Sequence, residues 1–429
     1  MREHPLRQEL EHEAHARPSL PIDTPSRVSH LAAVTGEQAV GDDIAHLTRL
    51  CSHFKATPPS LGETQATIDL GPVRMRWERH TEFSTYTFIQ EAAFESPFKD
   101  TPVGAVPGDW LAEIPGQIVA AFHIAVEASD AEQRDTAAIA GLFDNNHVTG
   151  GVMLDGGAKM WTDFQVHADR FGRILLRIEE ISAQSVGRLV QRVAEMETYR
   201  AMAMLAFPLA RDERPKVAAA EDQLGDIIAN LVNVEDTDAE QETLRELSRL
   251  AAESEAVAGE ITYRFSATRA YHAIVRDRLA SLREQRMPRY QPVSAFLLRR
   301  LEPAMESCEN LARRQESLSR RISRASNLLR TRVDVALEAQ NRDLLASMDR
   351  RARLQLRLQE TVEGLSVVAV SYYLLSLVSY LAKGAVSASL TTIDPFIVVG
   401  IAFLPVVGVV ALGVRHVRRR IEQETRTGD

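Results

Sequence analysis

Four groupings of residue types in this chain have spacings that bear on chemistry. The first is His4, His12 and His15, near the N-terminus. On a helix His12 and His15 stand one turn apart, and His4 falls roughly on the same side. Three imidazoles so placed are suited to a divalent transition metal. The spacing is not His-Glu-x-x-His, because the second histidine follows three residues after the first. Without a metal, the segment reads as a polar helix with surface histidines. The second grouping is Trp77-Glu78-Arg79-His80-Thr81-Glu82-Phe83. Alternation along a strand puts Glu78, His80 and Glu82 on one face, as ligands or acid–base groups. The plainer reading is a solvated face opposite buried Trp77 and Phe83.

The third grouping is glycine-rich. Gly150-Gly151 and Asp155-Gly156-Gly157 match neither GxGxxG nor a P-loop. They read as turns. No GxSxG, carboxylate-pair or Cys/His signature accompanies them. The sequence therefore predicts no enzyme and implies no cofactor.

The fourth grouping is Tyr372, Ser376, Ser379, Tyr380 and Lys383. At helical spacing they form a polar stripe inside an apolar run. Such a stripe is costly in lipid and should face protein or water. It either hydrogen-bonds to a neighbouring helix of the same chain or lines an aqueous path shared by several copies.

The elements that must position these groups follow from hydropathy. Residues 364–382 and 395–414 carry no Asp, Glu, Lys or Arg, and each run is close to the ~20 apolar residues that span ~30 Å of hydrocarbon. The short link between them makes a hairpin, and Pro405 predicts a kink in the second helix. Arg350, Arg351, Arg353 and Arg357 precede the first helix, and Arg415, Arg418, Arg419 and Arg420 follow the second. Clustered arginine marks the cytoplasmic side. Both termini are thus expected in the cytoplasm, with the protein in a bacterial inner membrane.

Composition agrees with a folded body on that anchor. The formal net charge is −9. The acidic excess lies in the first two thirds, and arginine dominates the approach to the membrane. That asymmetry fits an anionic lipid surface better than nucleic acid. Cys51 and Cys308 are the two cysteines, with no CxxC spacing, which suits a reducing compartment. The first residues lack the apolar core of a signal peptide.

Short β-branched and aromatic runs separated by turn signals fill residues 1–180, an α/β or α+β domain. Residues 181–302 read as a helical middle region, with Pro208 and Pro215 ending its first helix. Residues 303–363 hold no glycine and no further proline after Pro303. Their apolar positions recur at three and four, a long amphipathic stalk of about 85 Å with a coiled-coil-like seam. The stalk runs into the hairpin, 364–414, and residues 415–429 form a basic tail. Its seam must be covered by the same chain or by copies of it.

Two resemblances arise on these residues. His4-Pro5-Leu6-Arg7 with His15-Ala16-Arg17-Pro18, the Trp77–Phe83 run, Glu363-Gly364-Leu365-Ser366 and Tyr380-Leu381-Ala382-Lys383-Gly384 resemble a bacterial family of membrane-anchored proteins of unknown function. That likeness spans nearly the whole chain. The architecture as a whole is similar to CorA-type divalent-cation channels. Those are pentamers whose first membrane helix lines the pore, which implies that the Tyr372–Lys383 stripe would line it here. The family's Gly-Met-Asn triplet is replaced by Lys383-Gly384-Ala385, and a ring of lysine at that mouth repels divalent cations. Two functions are therefore expected about equally: a homo-oligomeric CorA-like ion channel or transporter, and a membrane-tethered scaffold or sensor that binds a cytoplasmic protein. A metal enzyme built on His4, His12 and His15 is the third.

Overall fold

The computed structural model describes residues 3, 4, 7, 19–36, 40–231, 237–387 and 393–426. His12 and His15 lie outside the described residues, and His4 is exposed. The chain divides into two compact units, Met1–Glu235 with Glu242–Asn327, and Asp236–Gln241 with Leu328–Asp429.

The first unit is built on a nine-stranded mixed sheet in the order β2-β3-β4-β1-β5-β8-β7-β6-β9. The strands are β1 Ser26–Val34, β2 Gln65–Asp69, β3 Arg74–Arg79, β4 Phe83–Gln90, β5 Gln117–Glu127, β6 Thr149–Met153, β7 Ala158–Thr162, β8 Gly172–Ile178 and β9 Gln285–Arg286. All paired strands run antiparallel except β5 and β8. The turns expected at Gly71-Pro72 and Asp155-Gly156-Gly157 join β2 to β3 and β6 to β7. Gly71 and Gly156 both have positive φ, the conformation glycine alone takes without penalty. The sheet also takes an edge strand from far beyond residue 180, because β9 pairs with β6.

Both faces of this sheet are covered. On one lies α1 (Val40–Phe54) with the short α2 (Gly108–Ala112). Leu47, Leu50, Trp77, Tyr86, Phe88 and Trp110 fill the space between. On the other lie α4 (Ala183–Met204), α6 (Thr237–Ser281) and the start of α7 (Val293–Ser387). There Ile124, Leu176, Leu189, Val193, Val275 and Leu297 share one cluster. A third helix, α3 (Thr136–Leu142), is capped by Asp135, whose carboxylate accepts from the Ala138 amide at 2.7 Å.

The helix ends differ from expectation at two prolines. Pro208 and Pro215 do not end a helix. The break falls at Leu205, and α5 (Ala206–Leu231) contains both. Pro208 sits in the first turn, where backbone N–H groups have no intrahelical partner to lose. The long helix begins at Val293, ten residues before Pro303. Glu284 explains the start, since its carboxylate accepts from the Val293 and Ser294 amides at 2.7 and 2.9 Å, a negative charge on the positive end of the helix.

In the second unit α7 continues without interruption past Gly364 to Ser387, and α8 spans Pro395–Arg426. Each holds a window long and apolar enough to cross a membrane, of which only 6 % is buried. A helix in the core of a soluble domain would be mostly covered. The stalk before the first window is also bare: Leu344, Met348, Leu354, Leu358 and Val362 are each more than half exposed.

Three imidazoles of the first unit are held neutral by burial. His30 is pushed down to about 3, and His46 and His123 to about 4, with desolvation the main cause in each. An imidazole whose folded pKa lies below its unfolded value near 6.5 favours the fold fully above that pH. The contribution is lost on acidification through the span from 6.5 to 4, and to 3 for His30. Each neutral imidazole contributes a slope of about 1.4 kcal/mol per pH unit there. The midpoint of urea unfolding should therefore fall progressively from pH 6.5 to pH 4. A midpoint constant over that span would contradict the assignment.

Candidate functional site

The polar stripe lies on α7, one of the two helices that hold an apolar window. At 1.5 Å per residue Tyr372 stands about 12 Å beyond Gly364, which, were this run to cross a ~30 Å hydrocarbon layer, would put it near the middle. That depth is not the interfacial belt where tyrosine is usual. Tyr372 and Tyr380 expose 68 % and 74 % of their surface. Lys383 is exposed, and Ser376 and Ser379 are half-buried. The buried positions of the two windows are different residues: Ser371 on α7 and Val410 on α8, among the described residues. Ser376 donates to the Tyr372 carbonyl of its own helix at 2.9 Å. Ser366 does the same to Val362 at 2.8 Å. These serines thus bond within α7, and the two stripe tyrosines keep most of their surface uncovered by the chain.

The arginines flanking the windows lie on the same two helices. Arg350, Arg351 and Arg357 are exposed, and Arg353 pairs with Asp349 one turn earlier at 2.7 Å. Arg415 is exposed at the end of the second window, and Arg418, Arg419 and Arg420 lie further along α8.

The first unit carries chemistry that local spacing did not reveal. Glu78, His80 and Glu82 do not share a strand face. β3 ends at Arg79 and β4 begins at Phe83, so His80 and Glu82 fall in the turn. Trp77 and Phe83 are both buried, yet in separate clusters. Glu82 is almost fully enclosed. It accepts from both Arg264 nitrogens at 3.1 and 2.8 Å and from the Tyr271 hydroxyl at 2.5 Å. Burial and this carboxylate push the Tyr271 phenol up.

Glu78 and His80 instead line a cavity of about 300 Å³ between the sheet and α4, together with His30, Arg76, Glu195 and Arg278. Its charges are paired: Arg76 donates to Glu78 at 2.8 Å, and Arg278 to Glu195. His30 is hydrogen-bonded to Thr87 at 2.8 Å and Thr198 at 3.0 Å. Gly187 lets the chain cross α4 at the cavity rim, since a side chain there would collide with the Leu20 carbonyl. No sequence spacing could have found this site. β1, β3, β4, α4 and α6 each supply part of it, from positions 20 to 278.

Ser29, His123 and Asp169 fall in a line, with Ser29 Oγ 2.9 Å from His123 Nδ1 and His123 Nε2 3.8 Å from Asp169. The hydroxyl has no exposure and also accepts from the Val103 amide at 3.3 Å. A serine so enclosed is a packing element, since a nucleophile must reach its substrate. Among the described residues no group of three His, Cys, Asp or Glu side chains is placed to hold a metal.

Residues 2–421 match the family described as "Protein of unknown function (DUF3422)". No curated protein matches the chain. Among solved structures, one described as "structure of the full-length CmaX protein" is similar over 71 % of this chain and 89 % of its own, at 16 % identity and a TM-score of 0.14. A TM-score of that size carries no statement about the fold.

Proposed function

The chain belongs to the DUF3422 family of proteins of unknown function, and we propose that it is an integral protein of the bacterial inner membrane that assembles from several copies into an ion channel or transporter of CorA-like architecture. Both termini lie in the cytoplasm on this reading, following the flanking arginines. The observation that carries it is the exposure of Tyr372 and Tyr380 in the apolar window of α7. A single hairpin cannot enclose a path, and lipid is a poor partner for such a stripe. Other copies of the same helix supply the remaining wall. The test is ion flux through liposomes holding the full-length protein. Ser376→Leu narrows and dries the path and should reduce flux at least about tenfold, the effect expected of a hydrophobic constriction. Flux unchanged by Ser376→Leu would overturn the reading.

A second reading rests on the cavity between the sheet and α4. A concave pocket of about 300 Å³ in which charged and polar groups converge beside apolar ones has the form of a ligand site. It favours a membrane-tethered sensor or scaffold whose body binds a cytoplasmic partner. Exchanging the hairpin for an unrelated anchor separates the two, because a sensor keeps its function and a channel loses it.

A further inference from the structure

From the charges carried by α7, we infer that the path formed by its stripe selects small inorganic anions. The inference rests on the channel reading above and names its substrate class. Helix geometry sorts the charged residues into two sides. At about 100° per residue, Tyr372, Ser376, Ser379 and Lys383 lie within roughly 40° of one line. Carried back along the helix, that line passes within roughly 60° of Arg350, Arg351 and Arg357. Of the acids nearest the window, Asp349, Glu360 and Glu363 are all roughly 120° or more from the line, and Asp343, within roughly 20° of it, stands about 10 Å further from the window than Arg350. Asp349 is moreover held by Arg353 at 2.7 Å. Between Gly364 and Ser387 α7 has no carboxylate at all.

A path walled by copies of this face therefore meets positive charge at both ends, from Arg350, Arg351 and Arg357 at one and Lys383 at the other, all exposed. Between them stands the exposed phenol of Tyr372, whose O–H group donates hydrogen bonds. The acid nearest the Lys383 end on the second helix, Asp394, caps α8 by accepting from the Phe396 amide at 2.9 Å. Rings of Lys and Arg select anions as rings of Asp and Glu select cations. A confined surface of one sign raises the local concentration of counter-ion by roughly 10- to 1,000-fold.

The experiment is a current measurement across a phosphatidylcholine bilayer holding the full-length protein, with potassium chloride at different concentrations on the two sides. The current should reverse near the chloride equilibrium potential, with chloride preferred over potassium by about tenfold or more. Lys383→Glu should shift the reversal toward potassium, and Lys383→Arg, which keeps the charge, should retain the chloride preference. Arg357→Gln, outside the apolar window, should lower the preference without abolishing current. A wild-type current reversing at the potassium potential would overturn the anion inference and leave the channel standing. A preference indifferent to Lys383→Glu would also overturn it. A discrete oligomer that carries no current in any salt would remove the channel reading and the inference together.

Discussion

Asp43→Ala should destabilise the first unit by about 3–5 kcal/mol, the usual effect of stripping one partner from a buried ion pair. Asp43 has no exposure, and its carboxylate gathers three groups from two strands. Oδ2 accepts from Arg79 at 2.7 Å and from Ser84 at 2.5 Å, and Oδ1 accepts from the Tyr86 hydroxyl at 3.4 Å. Burial, and then this neighbouring charge, push the Tyr86 phenol up. Alanine leaves a guanidinium that is 6 % exposed without its carboxylate. A loss of that size is a large part of the 5–15 kcal/mol by which whole domains are stable. Urea unfolding followed by the fluorescence of buried Trp77 and Trp110 measures it. Arg49→Ala is the control, since Arg49 and Glu113 form an exposed pair and such pairs contribute less than about 1 kcal/mol. Asp43→Ala with a loss no larger than the control would contradict the account of this core.

The second large effect concerns assembly. If the chain assembles as proposed, Leu344→Glu combined with Met348→Glu should convert the oligomer to single chains. The two side chains stand one turn apart on α7, 61 % and 59 % exposed within the chain. Burial of each in a seam between copies contributes about 1.5–3 kcal/mol, and a carboxylate in that seam adds a desolvation penalty. Association should weaken more than about a thousandfold, equivalent to about 4 kcal/mol. Unfolding of the first unit should not change, because neither residue belongs to it. Cross-linking in membranes reads the assembly. A ladder of products identical to wild type would place the interface elsewhere.

Local order in this chain was legible where one residue's neighbours in sequence are also its neighbours in space. Short β-branched and aromatic runs marked strands within residues 1–180, and glycine marked turns at Gly71 and Gly156. The absence of glycine and proline from 304 to 363 foretold an unbroken α7. The candidate chemistry of the body was not legible, because it is assembled by sheet order and helix packing. Arg264 and Tyr271 reach Glu82 across more than 180 positions, and Asp43 meets Arg79 only because α1 lies on the sheet. Periodicity also misjudged Glu78, His80 and Glu82, since a tight turn interrupts the alternation between Arg79 and Phe83. The stripe residues Tyr372, Ser376, Ser379, Tyr380 and Lys383 all lie on α7, and the structure adds how much of each is left uncovered.

The most direct test of the account is the mass of the full-length protein in detergent, measured by light scattering corrected for bound detergent. The expected result is a single ring-sized oligomer of the 47.7 kDa chain. A monomer or a simple dimer cannot surround a path with one hairpin per copy, and that result would contradict it.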